Sequence, residues 1–313
     1  MVDDQKLIRE LSKYSDQIGG FAGKYTLPYP KPDPFGPFIR DRELVASCDG
    51  VGTKILLAQI ARDYHKRPLH SIGIDCVAMV VNDLLCKGAE PKFFLDYYAS
   101  DSLREDEFYQ VLAGIQEGCK ECNMELIGGE TAELNGIISE GTFDVCGFGV
   151  GTIIDELPKD NIKVGDSVVG LESSGFHSNG FTIIRQALMD QYYVATRSDI
   201  EWISYLLEPT KIYVNHIKMI REDGVEIKAL AHITGGGFKN VDRILPDNLR
   251  VAYKQTSGYY AHRQLFGWIQ AKTNMTVEKM RSTFNCGIGM VIILSPEEVE
   301  HLPVDSIYLG EIV

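Results

Sequence analysis

What most constrains this chain is the way its apolar runs end. Leu44-Val45-Ala46-Ser47-Cys48 passes into Asp49-Gly50-Val51-Gly52-Thr53-Lys54 and then into helical spacing, and Ala231-His232-Ile233 passes into Thr234-Gly235-Gly236-Gly237 before another helical run. Such handovers from strand through glycine turn to helix belong to chains that mix both element types, because glycine supplies the positive φ and the close backbone approach they require. The periodicity predicts strands at 43–48, 70–74, 92–98, 124–127 and 143–153, with helices near 54–62, 76–87 and 102–121. The polar stretch at 155–166, DELPKDNIKVGD, reads as a domain boundary. Beyond it the pattern predicts strands at 167–171, 228–233 and 249–253, helices near 179–190, 209–222, 237–244 and 260–270, and a β-rich close at 287–313. The expectation is an α/β (α+β) fold with an N-terminal domain over 1–155 and a C-terminal domain over 165–313. Residues 25–37 hold five of the twelve prolines, which excludes a helix and suggests an irregular loop or lid.

Charge narrows the partners. With 31 Lys and Arg against 44 Asp and Glu, the 313-residue chain carries −13, so its field repels polyanions and disfavours nucleic acid. A small phosphorylated ligand stays compatible where glycine-rich amides, a helix N-terminus or a bound cation act locally. No apolar run approaches the roughly 20 residues of a membrane span, and the opening MVDDQKLIRE is too charged for a signal peptide, so the expected location is cytoplasmic. The seven cysteines are scattered and odd in number, which suggests reduced thiols. Cys119 and Cys122 form a Cys-x-x-Cys, but both fall on the apolar face of the helically spaced stretch 101–123 and are read as packing.

Five segments can carry chemistry. In Asp49 through Lys54, Gly50 and Gly52 let the backbone turn and present amides, Asp49 can hold a cation and Lys54 can neutralise phosphate; a plain tight turn has the same pattern. On the next helix Val77, Val80, Val81, Leu84 and Leu85 form the apolar stripe, leaving Asp75, Asn82 and Asp83 either to solvent or, for Asp83, to Mg²⁺. Glu130 follows a short strand and is a candidate metal or ligand residue, with a bulged turn as the alternative. Ser178 or Asn179, with Gly180, can cap a helix whose positive end faces an anion, with His177 as an added donor. Thr234 through Gly237 leave room for a phosphate or for tight packing.

Taken in order, DGVGTK, VNDLLCKGAEP, FFLDYYA, IGGETAE, GFHSNGF, LLEPTKIYV, HITGGGF and TFNCGIGM resemble the phosphoribosylformylglycinamidine cyclo-ligase (aminoimidazole ribonucleotide synthetase) family from about residue 43 to 310. The spacing of Asp83, Gly88, Ala89 and Pro91 is similar to a wider ATP-binding superfamily that includes selenophosphate synthetase and thiamine-monophosphate kinase. The resemblance implies an N-terminal mixed sheet that completes a barrel with its mate's in a homodimer, and a C-terminal α/β sandwich. It implies ATP and Mg²⁺ near Asp49, Lys54, Asp83 and Glu130, with Ser178, Asn179, Gly180 and Thr234 through Gly237 holding phosphate or substrate. The implied reaction phosphorylates the formyl oxygen of formylglycinamidine ribonucleotide, after which the amidine nitrogen closes the ring and phosphate leaves. Asp83, Lys54 and His177 are the expected catalytic residues, His177 as proton donor or orienter. Two other outcomes stay open: a nucleotide-binding dimer without turnover, and a sister small-molecule kinase. The chain departs from the family pattern where MVDDQKLIRELSKYSDQ stands in place of a segment resembling DAGVDIDAGN, and where Asn135-Gly136 replaces Pro-Gly.

Overall fold

Among the described residues ten strands divide between two sheets, and no strand pairs from one sheet to the other. The computed structural model describes residues 23–26, 43–189, 203–254 and 260–313. Of the irregular segment expected over 25–37, Tyr25 and Thr26 are instead paired in a strand, and the rest, like the chain's divergent start, lies outside the described residues. The first sheet has the order β1-β2-β5-β3-β4, from β1 (Gly23–Thr26), β2 (Glu43–Gly50), β3 (Ala89–Ser100), β4 (Glu125–Glu133) and β5 (Phe143–Ile153). It is mixed: β3 and β4 run parallel, and the other pairs are antiparallel. The second, wholly antiparallel sheet has the order β7-β9-β6-β10-β8, from β6 (Ser167–Glu172), β7 (Ile227–His232), β8 (Val251–Tyr253), β9 (Ile288–Leu294) and β10 (Ile307–Ile312).

Helices α1 (Lys54–His65), α2 (His70–Leu85) and α3 (Glu105–Glu121) accompany the first sheet. The α2 helix begins at His70, so the strand expected over 70–74 is corrected to helix. Ile72 and Ile74 alternate as in a strand, but the site is decided by packing: a Cβ on Gly73 would lie 2.0 Å from the Val111 carbonyl oxygen, and one on Gly114 would lie 1.9 Å from that of His70. These two glycines let α2 and α3 meet backbone to backbone, and tertiary contact overrides local pattern. Cys119 on α3 and Cys122 at its C-terminal cap are buried free thiols, as the packing reading expects, and burial raises the pKa of both.

Around the second sheet lie α4 (Phe181–Met189), α5 (Val214–Glu222), α6 (Arg263–Thr273) and α7 (Val277–Arg281), with 3-10 turns at Gly237–Ile244 and Pro296–His301. The helix expected from 209 starts at Val214. Pro209 disfavours helix at the residue before it, and the next backbone donors are taken by side chains: Thr210 N–H by Asp75 (2.7 Å), Tyr213 N–H by Asn82 (3.0 Å).

Candidate functional site

The polar side of α2 faces the loops of the second sheet rather than water. Asn82, fully buried, donates from Nδ2 to the Lys211 carbonyl (2.9 Å) while its Oδ1 accepts from Tyr213 N–H. His232, at the end of β7, places Nδ1 2.8 Å from Asp83 Oδ1, and its Nε2 lies 3.5 Å from the Asn82 amide nitrogen. A carboxylate on one side and an amide donor on the other assign the ring proton to Nδ1, which donates to Asp83. His232 stands in a motif the sequence marks for its glycines; its bond to Asp83 spans 149 positions and has no local signal.

Asp49 ends β2 beside this pair. Burial first, then the charge of Asp83, push its carboxyl up to about 6, although Gly50 N–H donates to it at 2.7 Å. Two mutually repelling carboxylates in a partly buried place suit a divalent cation, and Mg²⁺ in particular takes one or two carboxylates and completes its shell with water and phosphate oxygens. The pH response has a definite sign. Between 3.8 and about 6 the folded chain holds a proton that the unfolded chain has released, so stability falls as pH rises through that window and stays lower above it. In divalent-free buffer Asn at position 49 is therefore expected to raise the thermal midpoint at pH 7 and to converge with wild type near pH 4. A variant less stable than wild type at pH 7 would show the charge to be compensated.

Glu130 does not join them. On β4 it is paired with Tyr97, whereas Gly129 is paired with Asp96 and Asp49 with Gly147, the partner of Asp96 on β3. Side chains alternate along a strand, so Glu130 shares the face of Tyr97, opposite to that of Asp49. It is exposed, its Oε1 accepts from Thr131 N–H (3.1 Å), and among the described residues no three His, Cys, Asp or Glu side chains gather as a metal site. Of the three carboxylates named from the sequence, Asp49 and Asp83 are brought together within one chain and Glu130 stands apart from them.

Lys54 is placed differently from expectation as well. It is fully buried, with Nζ donating to Asp75 (2.9 Å) and to the Glu208 carbonyl (2.7 Å), so its ammonium is enclosed by the fold. Thr53, just ahead of it, is exposed and makes no capping bond to its own helix; its hydroxyl meets that of Thr182 in the first turn of α4 at 3.2 Å. That contact brings the Gly50–Thr53 turn against the start of α4.

The loop before α4 has a rigid inner side and an open outer side. His177 is fully buried with a φ of 59°, and its Nε2 accepts from Ser174 N–H (3.2 Å) and from Lys211 N–H at the limit of 3.5 Å. Those bonds put the proton on Nδ1, which has no partner, and burial holds the ring well below the ordinary histidine pKa. Ser178 points inward to Asp75 (3.1 Å) and Thr210 (2.9 Å). Asn179 leaves Nδ2 without a hydrogen bond, and its Oδ1 lies 3.6 Å from where a Cβ on Gly235 would sit. Gly180 has a φ of 76°, and a Cβ there would strike Phe284.

Opposite, Gly237 N–H donates to the Thr234 carbonyl (2.9 Å), closing a turn in which Gly236 has φ 92° and ψ −8°, the third-position geometry of a type II turn. A Cβ on Gly237 would sit 1.9 Å from the Arg281 carbonyl oxygen at a φ of 58°, so Gly237 serves tight packing. Gly237→Ala is expected to cost at least about 2 kcal/mol, read by denaturant unfolding, since strain and clash act together. Gly235 and Gly236 open toward Asn179 or empty space.

The fold and these contacts define a class: two-sheet α/β proteins in which a carboxylate pair, a glycine turn and a helix start come together where elements of the two sheets meet. The chain belongs to the AIR synthase related protein family, whose N-terminal domain matches residues 37–153 and whose C-terminal domain matches 163–303. It is 40% identical over 309 residues to the phosphoribosylformylglycinamidine cyclo-ligase of Thermoanaerobacter sp. (strain X514), covering 94% of this chain and 87% of that one. Two solved structures share the fold: AaThiL complexed with AMPPCP and TMP (TM-score 0.67, 16% identity, 98% of this chain and 89% of that one) and thiamine monophosphate kinase from Aquifex aeolicus (0.66, 15%, 100% and 95%). No helix among the described residues is long and apolar enough to cross a membrane.

Proposed function

We propose that the protein closes formylglycinamidine ribonucleotide to aminoimidazole ribonucleotide, with ATP converted to ADP and phosphate, in the cleft between its sheets. The observation that carries the reading is the meeting of Asp49, Asp83 and His232 with the glycine turn at 234–237, in a chain 40% identical to a cyclo-ligase. ATP supplies the phosphoryl group that makes the formyl oxygen a leaving group. Asp49 and Asp83 would hold Mg²⁺, with His232 fixing the rotamer of Asp83. Amides of Gly235 and Gly236, those of Ser178 and Gly180 just ahead of α4, those of Gly52 and Thr53 and the unpartnered side-chain Nδ2 of Asn179 would bind phosphate oxygens. Lys54 acts through its ion pair rather than by touching phosphate, and His177 orients the loops whose backbone amides it accepts. The catalytic contribution is alignment of amidine nitrogen and formyl carbon together with charge dispersal.

The proposed division into an N-terminal and a C-terminal domain falls at 155–165, between β5 and β6. One face of the first sheet leaves Tyr25, Tyr97 and Phe148 exposed at 56%, 39% and 41%, an apolar surface suited to a second copy in a cytoplasmic homodimer. The deciding experiment supplies purified protein with MgCl₂, ATP and formylglycinamidine ribonucleotide. Equimolar ADP, free phosphate and aminoimidazole ribonucleotide are expected; phosphate retained on the acceptor would make it a kinase instead. Gly235→Ala, which meets only ordinary contact at 3.6 Å, is expected to fold normally and raise the KM for ATP by about tenfold, because its methyl group enters the phosphate loop.

A further inference from the structure

We propose that Asp75 is the positioning residue of the cleft: its buried carboxylate, on the helix behind the first sheet, fixes the loop before α4 through Ser178 and Thr210. The inference rests on reading the cleft as the nucleotide site. Asp75 is fully buried, and its Oδ1 accepts from Lys54 Nζ (2.9 Å), Thr210 N–H (2.7 Å), the Thr210 hydroxyl (2.6 Å) and the Ser178 hydroxyl (3.1 Å). Its Oδ2 lies 2.8 Å from the same ammonium, held by charge without an aligned hydrogen bond.

Each partner adjoins a wall of the cleft. Lys54 follows Thr53, Ser178 precedes Asn179, and Thr210 precedes Lys211, whose N–H reaches toward His177. A second buried ion pair, Lys228 with Asp166, differs in lying wholly within the second sheet and its entry loop. Thr210 gives its one hydroxyl proton to the carboxylate, and Ser178 gives its own either to the carboxylate or to the Thr210 oxygen 2.9 Å away. In both arrangements the Ser178 hydroxyl proton is directed inward, so Ser178 offers an anion its backbone amide alone. Loss of the inward tie would free the start of α4 to shift relative to Asp49 and Asp83.

The test measures binding of AMPPCP with MgCl₂ by calorimetry, on the full chain, well below the thermal midpoint of each variant. Thr210→Val keeps the shape and removes the hydroxyl; Thr210→Ser restores it. Thr210→Val is expected to weaken binding about tenfold, Thr210→Ser to stay within about twofold of wild type, and Ser178→Ala added to Thr210→Val to weaken it further, because Ser178 still reaches Asp75 directly at 3.1 Å in the single variant. Wild-type affinity in Thr210→Val, or equal loss in the Val and Ser variants, would overturn the inference. If wild type binds AMPPCP yet makes no aminoimidazole ribonucleotide, ring closure fails and this inference is judged on the binding series alone. If wild type binds no nucleotide, the cleft reading and the inference fall together.

Discussion

Asp83→Asn is expected to lower kcat/KM for ring closure by about 10²–10³-fold while leaving the fold intact, the scale of losing a group that organises charge at a reacting centre. The separation of effects comes from geometry. An asparagine oxygen can still accept from His232 Nδ1–H at the 2.8 Å position, so the tie between α2 and β7 survives. The negative charge that pushes the neighbouring Asp49 upward is removed, so the ligand-free protein loses no stability from this source. What disappears is half of the carboxylate pair proposed to hold Mg²⁺, and with it the rise in thermal midpoint that MgCl₂ and AMPPCP together confer on wild type. Kinetics and a thermal shift series on one preparation check both halves. Activity within threefold of wild type, or an equal collapse of fold and activity, would remove Asp83 from the chemistry.

The elements legible in the sequence were those set by local pattern. The strand at 143–153 matches the sequence reading to the residue, and α3 and β6 match it to within three residues. Elements decided elsewhere in the chain were not legible. The first turn and a half of α2 depends on Gly114 lying opposite Gly73, and the delayed start of α5 depends on Asp75 and Asn82, side chains more than 130 positions away. β1 and α7 are too short for periodicity to reveal. The site divides in the same way. Glycine turns and helix starts are written in consecutive residues and could be found, but whether a side chain meets solvent, sheet or cleft is a tertiary fact. Lys54 in a glycine turn reads as a phosphate ligand, yet its four-carbon stem carries the ammonium inward to Asp75. Glu130 is separated from Asp49 by strand parity, and the irregularity between Phe94 and Leu95 in the β3–β4 register is invisible in composition.

The largest expected loss of stability belongs to Asp75→Ala, at about 3–5 kcal/mol by denaturant unfolding, the cost of breaking a buried ion pair from one side. Lys54 would keep the Glu208 carbonyl (2.7 Å) as its hydrogen-bond acceptor, and its ammonium, fully buried, would lose the charge that faces it. Burial already lowers the Lys54 pKa, with Asp75 opposing that shift, so removing Asp75 lowers it further. A folded lysine pKa below the unfolded value means the unfolded chain binds the extra proton, and stability rises with pH through the interval between the two. The variant is therefore expected to be weakest near neutral pH and to regain stability as pH approaches 10.5, where wild type gains less. Lys54→Met combined with Asp75→Asn should recover most of the loss: no charge is then buried, and the asparagine oxygen still accepts from Thr210 and Ser178. If the double variant instead loses the sum of the two single changes, Lys54 and Asp75 do not act as a pair, and the joint between the two sheets is held mainly by Asn82 and Asp83.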